Sequence, residues 1–309
     1  SNRAKKLMDN GANVHLGITH FQNLNLAGID TIIISPGIHP EGNFGLQLKS
    51  LTIPIISELE FASRFCNRPL IGITGTNGKT TTVELLTHCL NGLGVKTKAA
   101  GNIGYSLSRV VRENQDWDYI VVEVSSFQLE SIENIEFISG VLLNVSSDHI
   151  DRYTSFDEYA SVKCRLLKHS KHKTAGISVL KYLNQYADVS YIDYQGGANS
   201  EYRLIDGCPD ITNEKFSYHS HPLKGLHNAE NILACFSVLN NLGFKSKDVF
   251  KISLSFKAPQ HRLQFFLKHD EIIFINDSKA TNPDALRMAL GKLWNPGGEE
   301  YCFDCGRER

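Results

Sequence analysis

Residues 73–82 read ITGTNGKTTT and follow directly on the apolar run PLIG. This order predicts a strand end at Thr74, a turn over Gly75, Thr76, Asn77 and Gly78, and a helix opening at Lys79 and Thr80. Backbone N–H groups and the positive end of a helix dipole then point at one spot, which suits an anion and phosphate above all. There Lys79 would reach the β- and γ-phosphates of a nucleotide and the Thr80 hydroxyl would face Mg2+, with Thr81 included in the nucleotide-binding run. The usual pattern has glycine five residues before Gly78, where this chain has Ile73. The alternative is a Gly-Thr turn that binds nothing, and the strand-turn-helix context favours the phosphate reading. Hydrolysis, phosphoryl transfer and ligation all use such a loop.

A phosphate loop needs a partner for its metal. Glu123 closes the apolar run YIVVE, and an acid carried by an apolar strand is costly unless paired or metal-bound, so it is expected beside Thr80 on Mg2+. The next apolar run leads into NVSSDHIDRY, which sets Asp148, His149, Asp151 and Arg152 on one loop. His149 could give nitrogen to a second divalent ion or contact an anionic substrate. Further on, Arg262 could pair with phosphate as a planar fork, and Asp277 could accept from a ribose hydroxyl or, with Ser278, cap the helix that follows. Periodicity alone reads Lys163, on the helical stretch FDEYASVKCRLL, as a surface lysine.

These residues need a frame to hold them. From about 68 to 258, strand-like runs (PLIGITG, DYIVVEVSS, ISGVLLNVS) alternate with helical ones (TTVELLTHCLNGLG, FDEYASVKCRLLKH, HNAENILACFSVLNNLG). That argues an α/β fold with a mainly parallel sheet covered by helices. Residues 173–222 are richer in Tyr, Ser, Gly and Asn, with short strand-like pieces. Ahead of this region come the strand DTIIISPG and a helix over ISELEFASRF, part of an α/β unit without the glycine-rich turn that usually opens one. Behind it FFLKH and EIIFIND flank His269-Asp270, followed by a helix over NPDALRMALGKLW and a last strand in EEYCFDCG. A chain of 309 residues suggests two or three domains, here 1–66, 67–260 and 261–309.

The balance of charge narrows the function. A formal net charge of −1 with no basic excess gives no sign of nucleic acid or a membrane surface as partner. No apolar run is long enough to span a bilayer, and SNRAKKLMDNGANVHL lacks the core of a signal peptide, so the expected place is the cytoplasm. Seven scattered cysteines do not suggest a disulfide framework, and Cys302-x-x-Cys305 has no second pair to complete a metal site.

Taken in order, GTNGKTTT, GNIG at 101–104, VVEVSSFQLE at 121–130, NVSSDHIDRY at 144–153, and HRLQ with NDSKATN over 261–282 resemble the Mur ligases, the ATP-dependent amide-forming enzymes of peptidoglycan precursor synthesis. SSFQLE and NDSKATN are most similar to the members that add D-glutamate to UDP-N-acetylmuramoyl-L-alanine, and ISPGIHP is similar to their uridine-nucleotide domain. The resemblance implies a three-domain architecture: a central P-loop domain between Rossmann-like domains, both incomplete here. The family's loop also lacks the first glycine, so Ile73 ceases to be an anomaly.

By residue, the resemblance implies Lys79 and Thr80 on ATP and Mg2+, and Glu123 and His149 on two metal ions. It also makes Lys163 a carbamylated lysine, against the periodicity. Asn228 and Asn231 fall on the adenine side, with Arg262 and Asp277 as ATP contacts at the hinge. Ser35, Pro36, Gly37, Asn102 and Ser125 fall on the muramoyl-nucleotide side, and Lys279 and Thr281 near the amino-acid pocket. The implied reaction runs through an acyl phosphate, in a monomer acting on small molecules. Residues 1–309 alone are expected to ligate little or not at all. The alternatives are a folylpolyglutamate synthetase, a ligase for a different amino acid, or a non-catalytic ATP-binding derivative.

Overall fold

The computed structural model describes residues 2–17, 24–38, 42–148, 152–193, 200, 202–205, 208–211, 214–215, 221–223, 226–259, 261, 264–270, 272–280, 286 and 300–305. Of the residues singled out above, His149, Asp151, Arg262 and Thr281 lie outside these, as does the helix expected over 282–294 apart from Leu286. The chain divides into two units, Ser1–Glu58 and Leu59–Arg309.

In the first unit, β1 (Ile32–Ile34) and β2 (Ile55–Ser57) pair in parallel with Ile33 opposite Ile56. Two helices, α1 (Asn2–Asp9) and α2 (Asn43–Lys49), complete its regular structure among the described residues. The run ISELEFASRF is not helical throughout. Ile56 and Ser57 belong to β2, and the helix is the shorter α3 (Glu58–Ser63). The β-branched pair Ile55-Ile56 serves the strand better than the first turn of a helix.

Among the described residues the second unit is built on a nine-stranded sheet. Its strands are β3 (Leu70–Thr74), β4 (Thr97–Gly101), β5 (Tyr119–Glu123), β6 (Phe137–Leu142), β7 (Ser170–Gly176), β8 (Val189–Asp193), β9 (Tyr202–Ile205), β10 (Cys208–Ile211) and β11 (Glu214–Lys215). The spatial order is β11-β10-β9-β8-β7-β6-β3-β5-β4. The seven strands from β9 to β4 run parallel, and β10 and β11 add an antiparallel edge.

Alternation along the central strands sends side chains to both faces. Ile71, Ile73 and Val121 meet α4 (Lys79–Gly92), α8 (Leu226–Asn241) and α9 (Ser246–Ser253), while Leu70, Ile120 and Val122 share a core with Leu107 and Val110 of α5 (Leu107–Glu113) and Leu166 of α7 (Phe156–Lys168). A four-residue helix, α6 (Ser126–Leu129), follows β5. β3 lies between β5 and β6, and the chain leaves it first for the β4–β5 side and later for β6. Strand order therefore reverses beside β3, and the crevice at the carboxyl ends of strands around such a point is where open α/β sheets bind ligands.

A separate three-stranded sheet holds β12 (Gln264–His269) antiparallel to β13 (Ile272–Asp277), which pairs in parallel with β14 (Glu300–Cys305). Among the described residues no helix is long and apolar enough to cross a membrane.

Candidate active site

The loop 75–78 joins the end of β3 to α4, and its shape depends on Gly78. This residue takes a left-handed φ of 85°, and a Cβ there would collide with the Asn231 carboxamide of α8. With no side chain capping the helix, the amino end of α4 keeps its N–H groups directed outward. Lys79 folds back over the turn, its Nζ donating to the Gly75 carbonyl at 2.8 Å and the Thr76 carbonyl at 2.7 Å. The loop is also tied to the segment after β6. Thr76 N–H donates to the Asn144 carbonyl at 2.9 Å, Asn77 N–H donates to Asn144 Oδ1 at 2.9 Å, and Ser146 N–H donates to Thr76 Oγ1 at 3.0 Å.

Glu123 ends β5 and is 2% exposed. One carboxylate oxygen accepts from the Thr80 hydroxyl at 2.9 Å and the other from Asn102 Nδ2 at 2.9 Å. Asn102 reaches it because Gly101, with φ 102°, closes β4 against the Glu123 carbonyl, which accepts the Asn102 N–H at 2.9 Å. The donors that hold the carboxylate are both neutral. Set next to a hydroxyl at the mouth of a phosphate loop, it forms a hard-oxygen donor pair suited to Mg2+. Among the described residues no cluster of three His, Cys, Asp or Glu side chains is placed to hold a metal.

Lys163 is not on the surface. It is 2% exposed, and its Nζ donates to the same Gly75 carbonyl as Lys79, at 3.0 Å, while lying 4.5 Å from the Tyr159 ring centroid. Burial, reinforced by the nearby Lys79 charge and opposed by Asp148, holds its amine well below the usual lysine range. A readable signal existed: Tyr159, Ala160, Lys163, Leu166 and Leu167, all buried, follow a three-to-four-residue stripe on α7. The lysine takes its place in that stripe, and only the assumption that charge faces water puts it outside.

The structure gathers Gly75, Thr76, Asn77, Gly78, Lys79, Thr80, Asn102, Glu123 and Lys163 in one neighbourhood of linked contacts. Thr81 is buried in the first turn of α4. Asn231 stands behind the loop, its Oδ1 accepting from the Thr82 hydroxyl at 3.1 Å and its Nδ2 donating to Asn228 Oδ1 at 3.2 Å. The Ser125 hydroxyl is engaged in a capping box at the start of α6 with Gln128. Arg152 is an ion-pair partner, its guanidinium forked onto Glu130 at 2.9 and 2.6 Å, with Tyr153 OH on the same carboxylate at 2.7 Å. Ser35, Pro36 and Gly37 form the turn after β1 in the first unit.

His261 and Gln264 of HRLQ meet NDSK in space. His261 N–H donates to Gln264 Oε1, its ring lies 2.9 Å from Asn276 Nδ2, and its carbonyl accepts from Lys279 N–H at 3.2 Å. Asp277 is buried at the end of β13 and Lys279 is exposed.

Two supports escaped the sequence reading. Asn144 grips the loop as described, and Tyr159 OH lies 3.2 Å from Thr76 Oγ1. Asn144 had a signal, since it follows an apolar strand at the same edge as the phosphate loop.

Residues 73–239 match the family model described as the Mur ligase middle domain. The chain is 33% identical over 294 residues to the UDP-N-acetylmuramoylalanine--D-glutamate ligase of Caldanaerobacter subterraneus subsp. tengcongensis, covering 92% of this chain and 65% of that protein. It is 32% identical over 306 residues to the ligase of the same name from Lachnospira eligens, covering 94% and 67%. The chain thus spans about two thirds of the length of these relatives. Among solved structures, a pseudomurein peptide ligase type C from Methanothermus fervidus aligns with a TM-score of 0.63 at 20% identity, over 87% of this chain and 65% of that one. The MurF ligase from Thermotoga maritima in complex with ADP aligns with a TM-score of 0.60 at 19% identity, over 85% and 70%. At such identities these two speak for the fold alone.

Proposed function

Because the chain belongs to the Mur ligase family, we propose that it serves an ATP-dependent ligase adding D-glutamate to UDP-N-acetylmuramoyl-L-alanine, in the cytoplasm, with the release of ADP and phosphate. The observation that carries this reading is the Thr80–Glu123 pair beside the Lys79 loop, on a chain whose relatives bear that activity in their names. In this assignment 67–260 surrounds ATP, 1–66 serves the uridine nucleotide through Ser35, Pro36 and Gly37, and 261–309 begins the amino-acid side with Lys279 and Thr281.

The alanyl carboxylate attacks the γ-phosphorus, the bond to the β-phosphate oxygen breaks, and ADP leaves. The amine of D-glutamate then adds to the acyl phosphate carbon, loses a proton and expels phosphate. Both steps run on positioning and charge neutralisation, with no nucleophilic side chain. Lys79 exchanges the Gly75 and Thr76 carbonyls for the β- and γ-phosphate oxygens. Thr80 and Glu123 would hold one Mg2+ and His149 with Lys163 a second, and these ions supply positive charge to the phosphates. Asn102 holds Glu123 in place and borders the muramoyl side with Ser125, while Asn228, Asn231, Arg262 and Asp277 belong to the nucleotide.

The low proton affinity of Lys163 supports its carbamylation. A neutral amine adds to CO2, an N–C bond forms, a proton leaves, and the product is a carboxylate-like oxygen ligand. Protein equilibrated with 13C-bicarbonate should show a carbamate carbon signal that Lys163→Met lacks; equal signals in both would remove this role.

The reaction is tested, in a version of the chain extended to the length of its relatives, by ADP release from ATP and UDP-N-acetylmuramoyl-L-alanine on offering D-glutamate, L-lysine and meso-diaminopimelate in turn. D-Glutamate should stimulate release, and stimulation by another amine in its place overturns the assignment.

A further inference from the structure

Glu230 is a carboxylate in a helix that is buried on every side. Residues 228–239 of α8 are all buried, and Glu230 itself is 4% exposed. Its Oε2 accepts from Asn144 Nδ2 at 2.8 Å, and Asn144 is the residue whose carboxamide grips the phosphate loop. That grip is two-sided: Asn144 Oδ1 takes the Asn77 N–H at 2.9 Å, and Nδ2 gives its other hydrogen to the Asn77 carbonyl at 3.3 Å.

We propose that Glu230 is a positioning residue for the nucleotide, fixing the orientation of the Asn144 carboxamide that clamps the Asn77 peptide of the phosphate loop. The reasoning is donor–acceptor bookkeeping. A carboxamide has one accepting and one donating end of nearly equal size, so packing alone does not choose between its two orientations. An acceptor at Glu230 requires the NH2 end to face α8 and leaves Oδ1 for the Asn77 N–H. With the amide reversed, two donors would meet at Asn77 and two acceptors at Glu230, each a lost hydrogen bond in a buried place.

Space at the site is committed as well. A Cβ at Gly176 would come within 2.6 Å of Glu230 Oε1 and collide with the Leu143 carbonyl, so β7 presses its bare backbone against this carboxyl group. The carboxyl group is held up to a pKa of about 7 by burial, with the Asn144 bond pulling the other way. A protonated Glu230 still offers an accepting oxygen, so the clamp works in either state.

The inference rests on reading the loop as the ATP site, and the test separates the two. Binding of a non-hydrolysable ATP analogue with Mg2+ is measured by titration calorimetry on the 309-residue chain and its Lys79→Ala, Glu230→Gln, Glu230→Leu and Asn144→Asp variants, with melting temperatures beside each. Glu230→Gln keeps an acceptor and should bind within about threefold of the parent. Glu230→Leu should bind at least about tenfold more weakly while melting no lower, since it removes a costly buried carboxyl group. If Glu230→Leu does not fold, Asn144→Asp decides, because it loses the donor to Glu230 and should weaken binding by at least about tenfold. Loss of binding in Lys79→Ala, together with parent-like affinity in Glu230→Leu or Asn144→Asp, overturns the proposal. Parent-like affinity in Lys79→Ala instead overturns the reading of the loop.

Discussion

Glu60 and Glu123 are both carboxylates buried in the second unit, at 0% and 2% exposure, and they keep very different company. Glu60, on α3, accepts from the N–H groups of Glu133, Asn134 and Ile135 at 3.0–3.2 Å and has Arg64 at 3.6 Å. Burial pushes its carboxyl group up, but the three N–H groups and Arg64 outweigh that and hold it below the usual carboxylate range. Glu123 has the hydroxyl of Thr80 and the amide of Asn102. The first environment completes a charge and the second leaves it available. A buried acid whose charge is answered by backbone and arginine ties segments together; one held by neutral side chains is, on the function proposed above, the one to meet a cation.

The contrast can be broken at three points. Glu60→Ala should cost about 4 kcal/mol of stability, since it removes three backbone hydrogen bonds to one buried carboxylate and strands the buried Ile135 N–H, and urea denaturation would read it. A loss below about 1 kcal/mol would mean that the 133–135 turn finds other partners. In the version extended to the length of its relatives, Glu123→Ala should do the reverse, lowering ADP release by at least about 100-fold, or roughly 3 kcal/mol in the barrier, with the melting temperature kept. A melting temperature that falls as far as that of Glu60→Ala would make Glu123 a structural acid.

Glu230 stands between the two, having a single neutral donor and a pKa raised to about 7. Between the unfolded carboxyl value of 4.5 and about 7, the folded chain keeps a proton that the unfolded chain releases. Stability from this group is therefore present below pH 4.5, falls as pH rises to about 7, and is level beyond. The fall is up to roughly 3 kcal/mol, and Glu230→Gln should lack it when denaturation is compared at pH 5 and pH 8. Equal pH dependence in both proteins would show that Glu230 is ionised throughout.

The legible parts of the fold were those where local pattern and tertiary fate agree. β3, β5 and β6 are buried on both faces, and their runs LIGIT, YIVVE and FISGVL announce it. β4 (TKAAG) and β7 (SKHKTAG) are equally real and went unread, because Lys, His and Ala give no strand signal and neighbouring strands supply the pairing. The same holds in the site. The placement of Gly75 to Thr80 in a turn opening a helix, and of Glu123 at a strand end, was readable because turn chemistry and the cost of a buried acid are local matters. Asn144, Tyr159 and Glu230 gain their meaning only from what the fold brings opposite them, across 67, 83 and 86 residues of sequence.

Helix α8 touches the phosphate loop twice with neighbouring residues, Asn231 against Gly78 and Glu230 through Asn144 to Asn77. The loop is therefore gauged from behind, by a helix buried along 228–239, as a workpiece is set against a datum face. Mutations that disturb that reference, however remote from any phosphate, should lower nucleotide affinity as surely as damage to the loop's own side chains.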